Sequence, residues 1–370
     1  MKRFSLFIFL FLWVEYSIAQ QVIPVDIKLP KVLFTNPDLI HAREKDKILL
    51  KTMEDLIMST PKGEEITVSI FKFNRKDIAE TLVEAQNRGV KVRVIMNKGE
   101  TSKKDNKDIK DYFKENLEDF YYIENTISEK AIIHNKFILF SGIMTQSGLL
   151  HNVVLQTSSN IQKKSSQKLQ DMLIFQDEDI YYGYLDFWYN IKVLGNVEKL
   201  ESYNYYNIEN DGYDLKAFFF PKRKNEEEKG QDNIIKILSK IKDPEKACIR
   251  FAHGKWNDDR DNVLAVLKTL SEKGAEINII TNKNVDDDLF NSFDQDKVSI
   301  TFLPDHMNMH TKFFLTDADF GNGQKQIAWT GSHNMTERSL RNNFEVLLAI
   351  QNPEIYEDYL KYFEEIRDMD

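Results

Sequence analysis

Short apolar runs alternate along the chain with segments in which apolar residues recur every three or four positions. Runs of the first kind are typical of strands, and the second spacing is typical of a helix with one buried face. A strand, a helix and a second strand follow one another twice, over 66–71, 78–85 and 90–96 and again over 247–251, 263–270 and 275–281. A glycine, Gly89 or Gly274, closes each helix, where a C-terminal cap favours positive φ. The pattern predicts two copies of one α/β unit.

The near-continuous apolar character of several of these strands predicts burial on both faces. Such burial is typical of parallel or mixed sheets covered by helices. We therefore expect an α/β fold with a pseudo-twofold pair of α/β/α sandwich halves, each with a mixed β-sheet. The two predicted halves are 20–200 and 201–370, with the boundary in the polar stretch 195–212.

Residues 1–19 have the composition of a secretory signal peptide. A basic start at Lys2 and Arg3 precedes the apolar run 5–14, and a small-residue sequence ends at Ala19. An apolar run of about ten residues is shorter than the roughly 20 that are needed to span a bilayer. We therefore expect cleavage near Ala19 and a secreted protein, either extracellular or periplasmic.

Charge and cysteine content narrow the functional classes. The formal net charge is −9, and it becomes −10 when 1–19 is removed, because that segment has two basic residues and one acidic residue. Non-specific nucleic-acid binders have a basic footprint, so the acidic charge weighs against a nuclease. The single cysteine, Cys248, excludes an intramolecular disulfide and a multi-cysteine zinc site.

Each copy of the repeat also contains a matching set of polar residues. The order is histidine-x-lysine, a serine or aspartate, serine-x-asparagine and a carboxylate. The first set is His134, Lys136, Ser141, Ser158, Asn160 and Asp171, and the second is His310, Lys312, Asp317, Ser332, Asn334 and Glu345. The asparagines (160 to 334) and the carboxylates (171 to 345) are both 174 residues apart, which supports a true internal repeat.

These residue types fit the chemistry of a phosphodiester. In a strand, residues i and i+2 point to the same face, so each histidine lies beside its lysine. Cleavage of a phosphodiester needs positive donors on the phosphate oxygens, a nucleophile in line with the leaving oxygen, and an acid that protonates this oxygen. Lysine supplies charge, asparagine and serine supply hydrogen bonds, and two imidazoles can divide the roles of nucleophile and acid.

The pattern HxKxxxxD followed by GSxN, complete in the second copy, is the signature of the phospholipase D superfamily. The chain resembles this family from about residue 30 to its end. The resemblance implies that the two signature strands meet at the interface of the halves and form one active site there. It also implies a two-step reaction through a covalent phosphohistidine, with no metal ion or other cofactor.

The resemblance further assigns a role to each polar residue. His134 would be the nucleophile, and His310 would protonate the leaving alcohol and later activate water. Asp171 and Glu345 would each hydrogen-bond a histidine. The phosphate would be bound by the lysines, asparagines and serines of both sets, namely Lys136, Lys312, Asn160, Asn334, Ser158 and Ser332.

The first copy departs from the signature at two positions. Ser141 stands where the motif has aspartate, and Thr157 stands where GSxN has glycine. The motif's aspartate, Asp317 in the second copy, generally lies away from the phosphate and holds backbone, a task that serine can partly perform by hydrogen bonding. The departures therefore affect the expected geometry of the first half more than its chemistry.

The signature predicts the reaction type and leaves the substrate open. We favour hydrolysis of phospholipid headgroups, with transient contact to a membrane surface and no obligate partner chain. The alternatives are a nuclease of the same superfamily and a catalytically weakened member that acts as a binding protein. A synthase, in which an alcohol replaces water as the acceptor, also stays open. Lysines within 98–110 could serve a nuclease, but acidic residues interleave with them, which favours a solvated segment.

Overall fold

The computed structural model describes residues 22–127, 131–194, 203–210, 215–224, 227–283, 285, 287–291, 293–294 and 296–369. The predicted signal peptide and part of the predicted boundary between the halves lie outside these ranges, so both stay predictions.

The first half contains a seven-stranded mixed sheet. Its strands are β1 (Lys31–Phe34), β2 (Glu65–Ile70), β3 (Lys91–Asn97), β4 (Asp119–Ile123), β5 (Lys136–Thr145), β6 (Gly148–Thr157) and β7 (Asp171–Gln176). They lie in the order β1-β7-β6-β5-β2-β3-β4. Strands β2, β3 and β4 are parallel neighbours, and the remaining pairs are antiparallel.

The second half repeats this arrangement and adds a strand. Its strands are β8 (Tyr206–Asn210), β9 (Leu215–Phe220), a small hairpin of β10 (Arg223–Lys224) and β11 (Glu227–Glu228), β12 (Cys248–His253), β13 (Glu276–Asn282), β14 (Val298–Leu303), β15 (Lys312–Asp319), β16 (Gln324–Gly331) and β17 (Glu345–Ile350). The large sheet has the order β8-β9-β17-β16-β15-β12-β13-β14. Apart from β8, each strand has the place of its counterpart in the first sheet, which explains why the sequence repeat is so regular.

Helices cover both sheets and also fill the space between them. They are α1 (Pro37–His41), α2 (Ile48–Met58), α3 (Lys76–Asn87), α4 (Glu100–Asn116), α5 (Glu178–Leu194), α6 (Asn233–Leu238), α7 (Asp261–Glu272), α8 (Glu337–Arg341) and α9 (Pro353–Arg367). Apolar residues of α2, α3 and α4 form one core with the first sheet, and those of α6 and α7 form another with the second sheet. Helices α5 and α9 belong to a third core, which includes residues of both sheets.

The central helices explain how the halves are joined. Phe187 on α5 and Tyr359 on α9 are fully buried, and each belongs to a stripe of aromatic residues on one face of its helix. The Phe187 ring lies 5.1 Å from that of Phe219 in the second half, and the Tyr359 ring lies 5.0 Å from that of Phe34 in the first half. The two mixed sheets and their helices confirm the predicted α/β fold. None of the described helices is long and apolar enough to span a membrane.

Candidate active site

Both motif histidines lie where the two halves meet, just before β5 and β15. The His134 backbone N–H donates to the Phe344 carbonyl at 2.9 Å, and the His310 N–H donates to the Leu169 carbonyl at 2.8 Å. Phe344 directly precedes β17, and Leu169 lies just before β7. Each signature strand is therefore paired with the segment that leads into the carboxylate strand of the other half.

A carboxylate from the second half holds His134 of the first. His134 Nδ1 lies 2.9 Å from Glu345 Oε2. The Glu345 carboxylate also accepts hydrogen bonds from Ser332 Oγ (2.6 Å), Ser339 Oγ (3.0 Å) and Asn343 Nδ2 (3.1 Å). An ionised carboxylate accepts and cannot donate, so Nδ1 of a neutral His134 holds the ring proton and Nε2 has the free lone pair.

The surroundings of this pair fix its charges. Burial alone would raise the pKa of Glu345, but the charge and hydrogen bond of His134 and the charge of Lys136 outweigh burial and hold this pKa well below its usual range. Burial lowers the pKa of His134, and Lys136 and Lys312 lower it further, against the opposing effect of Glu345. At neutral pH the pair is therefore a carboxylate and a neutral imidazole, which is the form that a nucleophile requires.

His310 has cations for neighbours. Lys312 Nζ donates to the His310 carbonyl at 2.7 Å and lies 3.5 Å from its Nδ1. Burial lowers the pKa of His310 well below its ordinary value, and the charges of Lys312 and Lys168 add to this. Burial also lowers the pKa of Lys312, to about 7. A bound phosphodiester anion would raise both values, because a nearby negative charge favours the protonated forms.

Asp171 does not form the hydrogen bond to a histidine that the sequence suggested. Its Oδ2 accepts from Thr330 Oγ1 at 2.5 Å and from Tyr359 Oη at 3.0 Å, and its buried Oδ1 has no hydrogen-bond partner among the described residues. Burial raises its pKa, and the hydrogen bonds from Thr330, Ser158 and Tyr359 oppose this. The hydroxyl groups on β16 and α9 thus hold the carboxylate, and its catalytic role stays a prediction.

His134, His310, Lys312 and Asn334 line one open cavity of about 380 Å³. Lys136 and Asn160, the other predicted phosphate ligands, are buried outside this lining. Lys136 Nζ donates to the His134 carbonyl, and Asn160 Oδ1 accepts from the Lys72 N–H at 3.1 Å. Their contact with phosphate stays a prediction.

The two motif serines contact the strands that bear the carboxylates. Ser332 Oγ donates to the Glu345 carboxylate and accepts from the Val346 N–H at 3.1 Å. Ser158 Oγ accepts from the Asp171 N–H at 3.0 Å. Both serines are fully buried. These contacts position the strands that bear the carboxylates. The contact of the serines with phosphate stays a prediction.

The two motif positions expected to hold backbone lie within β5 and β15, which have neighbouring strands on both sides. Asp317 accepts from the side chains of Gln324 (2.7 Å) and Gln326 (2.9 Å) on β16, so it holds side chains and not the backbone that the motif led us to expect. Ser141 accepts from the Glu65 N–H at 2.7 Å and donates to the Glu64 carboxylate, so it ties β5 to the start of β2. Serine thus performs by hydrogen bonding the task expected of aspartate.

Thr157 also has a structural explanation. A Cβ on its counterpart, Gly331, would lie 2.1 Å from the Val346 carbonyl oxygen, so the second copy requires glycine there. In the first copy Thr157 Oγ1 donates to the Asp171 carbonyl at 2.6 Å and accepts from the Ser159 N–H at 3.0 Å. The hydroxyl therefore stabilises the first turn.

Two asparagines that hold the motif backbone were missed by the sequence analysis. Asn97, at the end of β3, accepts through Oδ1 from the Ile133 N–H at 2.7 Å. Asn282, at the end of β13, accepts from the Met309 N–H at 2.7 Å. The two are 185 residues apart, the same separation as Gly89 and Gly274, so alignment of the two copies would have found them.

A buried arginine supports the second GSxN turn and was also missed. Arg260 forms a two-point ion pair with Asp232 at 2.6 and 2.8 Å. Its Nη1 contacts His333 Nε2 at 2.7 Å and donates to the Asn334 carbonyl at 3.1 Å. No sequence signal marks Arg260, because its partners are distant in the chain.

Among the described residues there is no group of three or more histidine, cysteine or acidic side chains that could hold a metal ion.

Two repeated sheets, with one cavity that is lined by a histidine from each half, are the arrangement of a phosphodiesterase-like protein. The sequence profile described as "Cardiolipin synthase, PLD-like domain" matches residues 53–187 and 237–367. These segments cover more than half of the chain, so the protein belongs to this family and to the phospholipase D superfamily. The resemblance given by the two motifs is thereby confirmed.

Solved structures show the same fold at low sequence identity. Phosphatidylserine synthase from Haemophilus influenzae Rd KW20 superposes with a TM-score of 0.63 at 12% identity, over 91% of this chain and 86% of that one. Polyphosphate kinase from Porphyromonas gingivalis gives a TM-score of 0.60 at 16% identity, over 91% of this chain and 50% of that one. This chain thus spans half the length of the kinase. Comparison with curated proteins gave no match.

Proposed function

We propose that the protein is a secreted phospholipase that releases the headgroup of phospholipids through a phosphohistidine, without a metal ion. The observation that most supports this is the pair of histidines, one from each half, that line a single cavity. Fixation of His134 Nδ1 by Glu345 leaves Nε2 as the nucleophile. The family description names an enzyme of phospholipid synthesis, and this favours a lipid substrate over a nucleic acid.

The proposed reaction has two steps. First, the bound phosphodiester anion favours the protonated form of His310. The lone pair of His134 Nε2 then forms a bond to phosphorus, the bond from phosphorus to the headgroup oxygen breaks, and this oxygen takes a proton from His310. Second, water attacks phosphorus while His310 takes its proton, the bond to His134 breaks, and phosphatidic acid leaves. Lys312 and Asn334 stabilise the negative charge that develops on the phosphoryl oxygens.

The decisive experiment measures release of headgroup and phosphatidic acid from mixed phospholipid vesicles in EDTA. Wild type (20–370), His134→Ala and His310→Ala are compared with His151→Ala, whose exposed histidine lies on β6 away from the cavity. We expect wild type and His151→Ala to cleave, and the other two to lose at least about 1,000-fold, as expected when a nucleophile or its proton partner is removed.

Mass spectrometry then tests the assignment of the nucleophile. After brief reaction of wild type with lipid and a denaturing quench, the phosphatidyl adduct should be found on His134. An adduct on His310 of the His134→Ala variant would reverse the two roles. Cleavage of single- or double-stranded nucleic acid by a wild type that is inactive on lipid would replace the phospholipase proposal with a nuclease.

Secretion is tested separately. N-terminal sequencing of protein recovered outside the cytoplasm of an expressing bacterium should begin at Gln20. Retention of Met1 to Ala19 on a membrane-bound protein would contradict the proposed cleavage.

A further inference from the structure

A second cavity lies on the outer face of the second sheet and shares no lining residue with the cavity of the histidines. Its volume is about 460 Å³, and it lies between α6, β8 and the outer faces of β9 and β16. Phe218, Trp329 and Ala349 form its buried apolar floor. The partly exposed rings of Tyr205 and Phe320 add aromatic walls.

A difference between the two halves explains why this cavity exists. In the first half the corresponding sheet face packs against α2, which has 11 residues and buries five apolar side chains. In the second half α6 has six residues and buries only two apolar side chains, Ile234 and Leu238. Strand β8, which has no counterpart in the first sheet, forms a further wall. The shorter helix and the added strand thus border the groove on the sheet face that α2 covers in the first half.

The lining of this groove is strongly positive. Five lysines line it, namely Lys216, Lys222, Lys236, Lys240 and Lys325, although the whole chain has a net charge of −9. Among the described lining residues the one carboxylate is Glu209, which Lys216 already binds at 2.6 Å. Within the described parts of the chain, the other four lysines form no ion pair. Such a local excess of positive charge attracts anions.

Lys222 is the most constrained of the five. Its side chain is buried, and its ammonium group donates to two neutral oxygens, the Gln231 carbonyl and Asn233 Oδ1. It also lies over the Tyr205 ring at 5.2 Å. Burial lowers its pKa to about 8, against the opposing charge of Asp232. A partly desolvated ammonium group with neutral acceptors gains more from an anionic partner than a solvated one does.

We propose that this groove binds a small ligand that has two or more linked phosphate groups and a flat apolar portion. The volume is that of a small-molecule site. The lysines supply several separate point charges for phosphate oxygens, and the aromatic floor and walls suit a ring. This inference does not depend on the phospholipase proposal.

Calorimetric titration in EDTA at low ionic strength tests the proposal, with inorganic tripolyphosphate and ATP as probes. The test variant combines Lys236→Gln, Lys240→Gln and Lys325→Gln. The control combines Lys45→Gln, Lys273→Gln and Lys361→Gln, which removes the same charge from exposed sites elsewhere. Hydrolysis of bis(p-nitrophenyl) phosphate reports the histidine cavity in each protein.

We expect wild type and control to bind ATP, and the test variant to lose one binding equivalent or to bind at least tenfold more weakly, with hydrolysis within twofold of wild type. Absence of binding by wild type, equal losses in both variants, or undiminished binding by the test variant would each overturn the proposal. Phe320→Ala should weaken ATP binding and leave tripolyphosphate binding unchanged. If wild type bound ATP and tripolyphosphate with equal affinity, the proposed flat apolar portion of the ligand would be wrong.

Discussion

At the scale of the residue, the two carboxylates of the repeat have come to differ. Glu345 binds His134 and remains ionised, whereas Asp171 is held by Thr330 and Tyr359 and burial raises its pKa. The two histidines are therefore not equivalent, despite the symmetry of the motifs. The sequence predicted both carboxylates, but it could not predict their partners, because Tyr359 lies 188 residues from Asp171.

The first prediction concerns the charge of Glu345. Glu345→Gln retains an acceptor for His134 Nδ1 but removes the negative charge that stabilises a phosphorylated imidazole. Because a charged hydrogen bond is worth about 1.5–3 kcal/mol, we expect kcat to fall about 10- to 100-fold. Steady-state kinetics on bis(p-nitrophenyl) phosphate measures this. Asp317→Asn, on β15 and outside the lining of the cavity, should stay within twofold of wild type, and an equal loss in both variants would contradict a specific role.

The second prediction concerns the pH dependence of substrate binding. Lys312 has a lowered pKa of about 7, so its ammonium group is charged below this pH and neutral above it. We expect KM to rise as pH increases through about 7, because the cavity loses a positive charge there. Lys312→Arg stays charged over this range, so its KM should be nearly constant between pH 6 and 9. A wild-type KM that is flat across this interval would contradict the assignment.

At the scale of the element, the site depends on where strands end. Asn97 and Asn282 close β3 and β13, and each holds the residue that precedes a motif histidine. The spacing of apolar residues predicted these strands well, since both are buried. The spacing of apolar residues could not predict the role of the two asparagines. Each holds a backbone N–H of a loop that follows later in the chain.

The third prediction tests this arrangement. Asn282→Ala removes three hydrogen bonds, from the Met309 N–H and to the carbonyls of Gly254 and Met309. We expect a loss of about 2–3 kcal/mol in the free energy of unfolding and a kcat at least tenfold lower, because His310 is displaced. Urea denaturation and kinetics measure both. The control is Asn278→Ala on the same strand, whose side chain bonds only Glu276 among the described residues; unchanged kcat in Asn282→Ala would contradict the positioning role.

At the scale of the whole molecule, one core belongs to both halves. The repeat in the sequence predicted two similar sheets, and the sheet order confirms them. It also predicted that the motif histidines meet between the halves, and both line one cavity; the catalytic role of this cavity stays a prediction. The added β8 and the groove beside it were not predicted. A short polar strand and a helix shortened by about one turn and a half leave little trace in hydrophobic periodicity.

The fourth prediction follows from the shared core. Because α5 and α9 pack against both sheets, we expect the mature protein to unfold in a single calorimetric transition, with equal calorimetric and van't Hoff enthalpies. Phe187→Ala, in this core, should lower the temperature of the entire transition, since a buried phenylalanine contributes about 3–5 kcal/mol. Two resolved transitions, with only one shifted by the substitution, would show that the halves unfold separately.

The pairing of His134 with Phe344 and Glu345 also has a consequence for the time at which activity first arises. The ribosome makes the first half before it makes β17, so a nascent chain contains His134 while its carboxylate and backbone partners do not yet exist. If the proposed mechanism holds, we expect a nascent chain to have no activity until β17 has been made and has paired with the segment of His134.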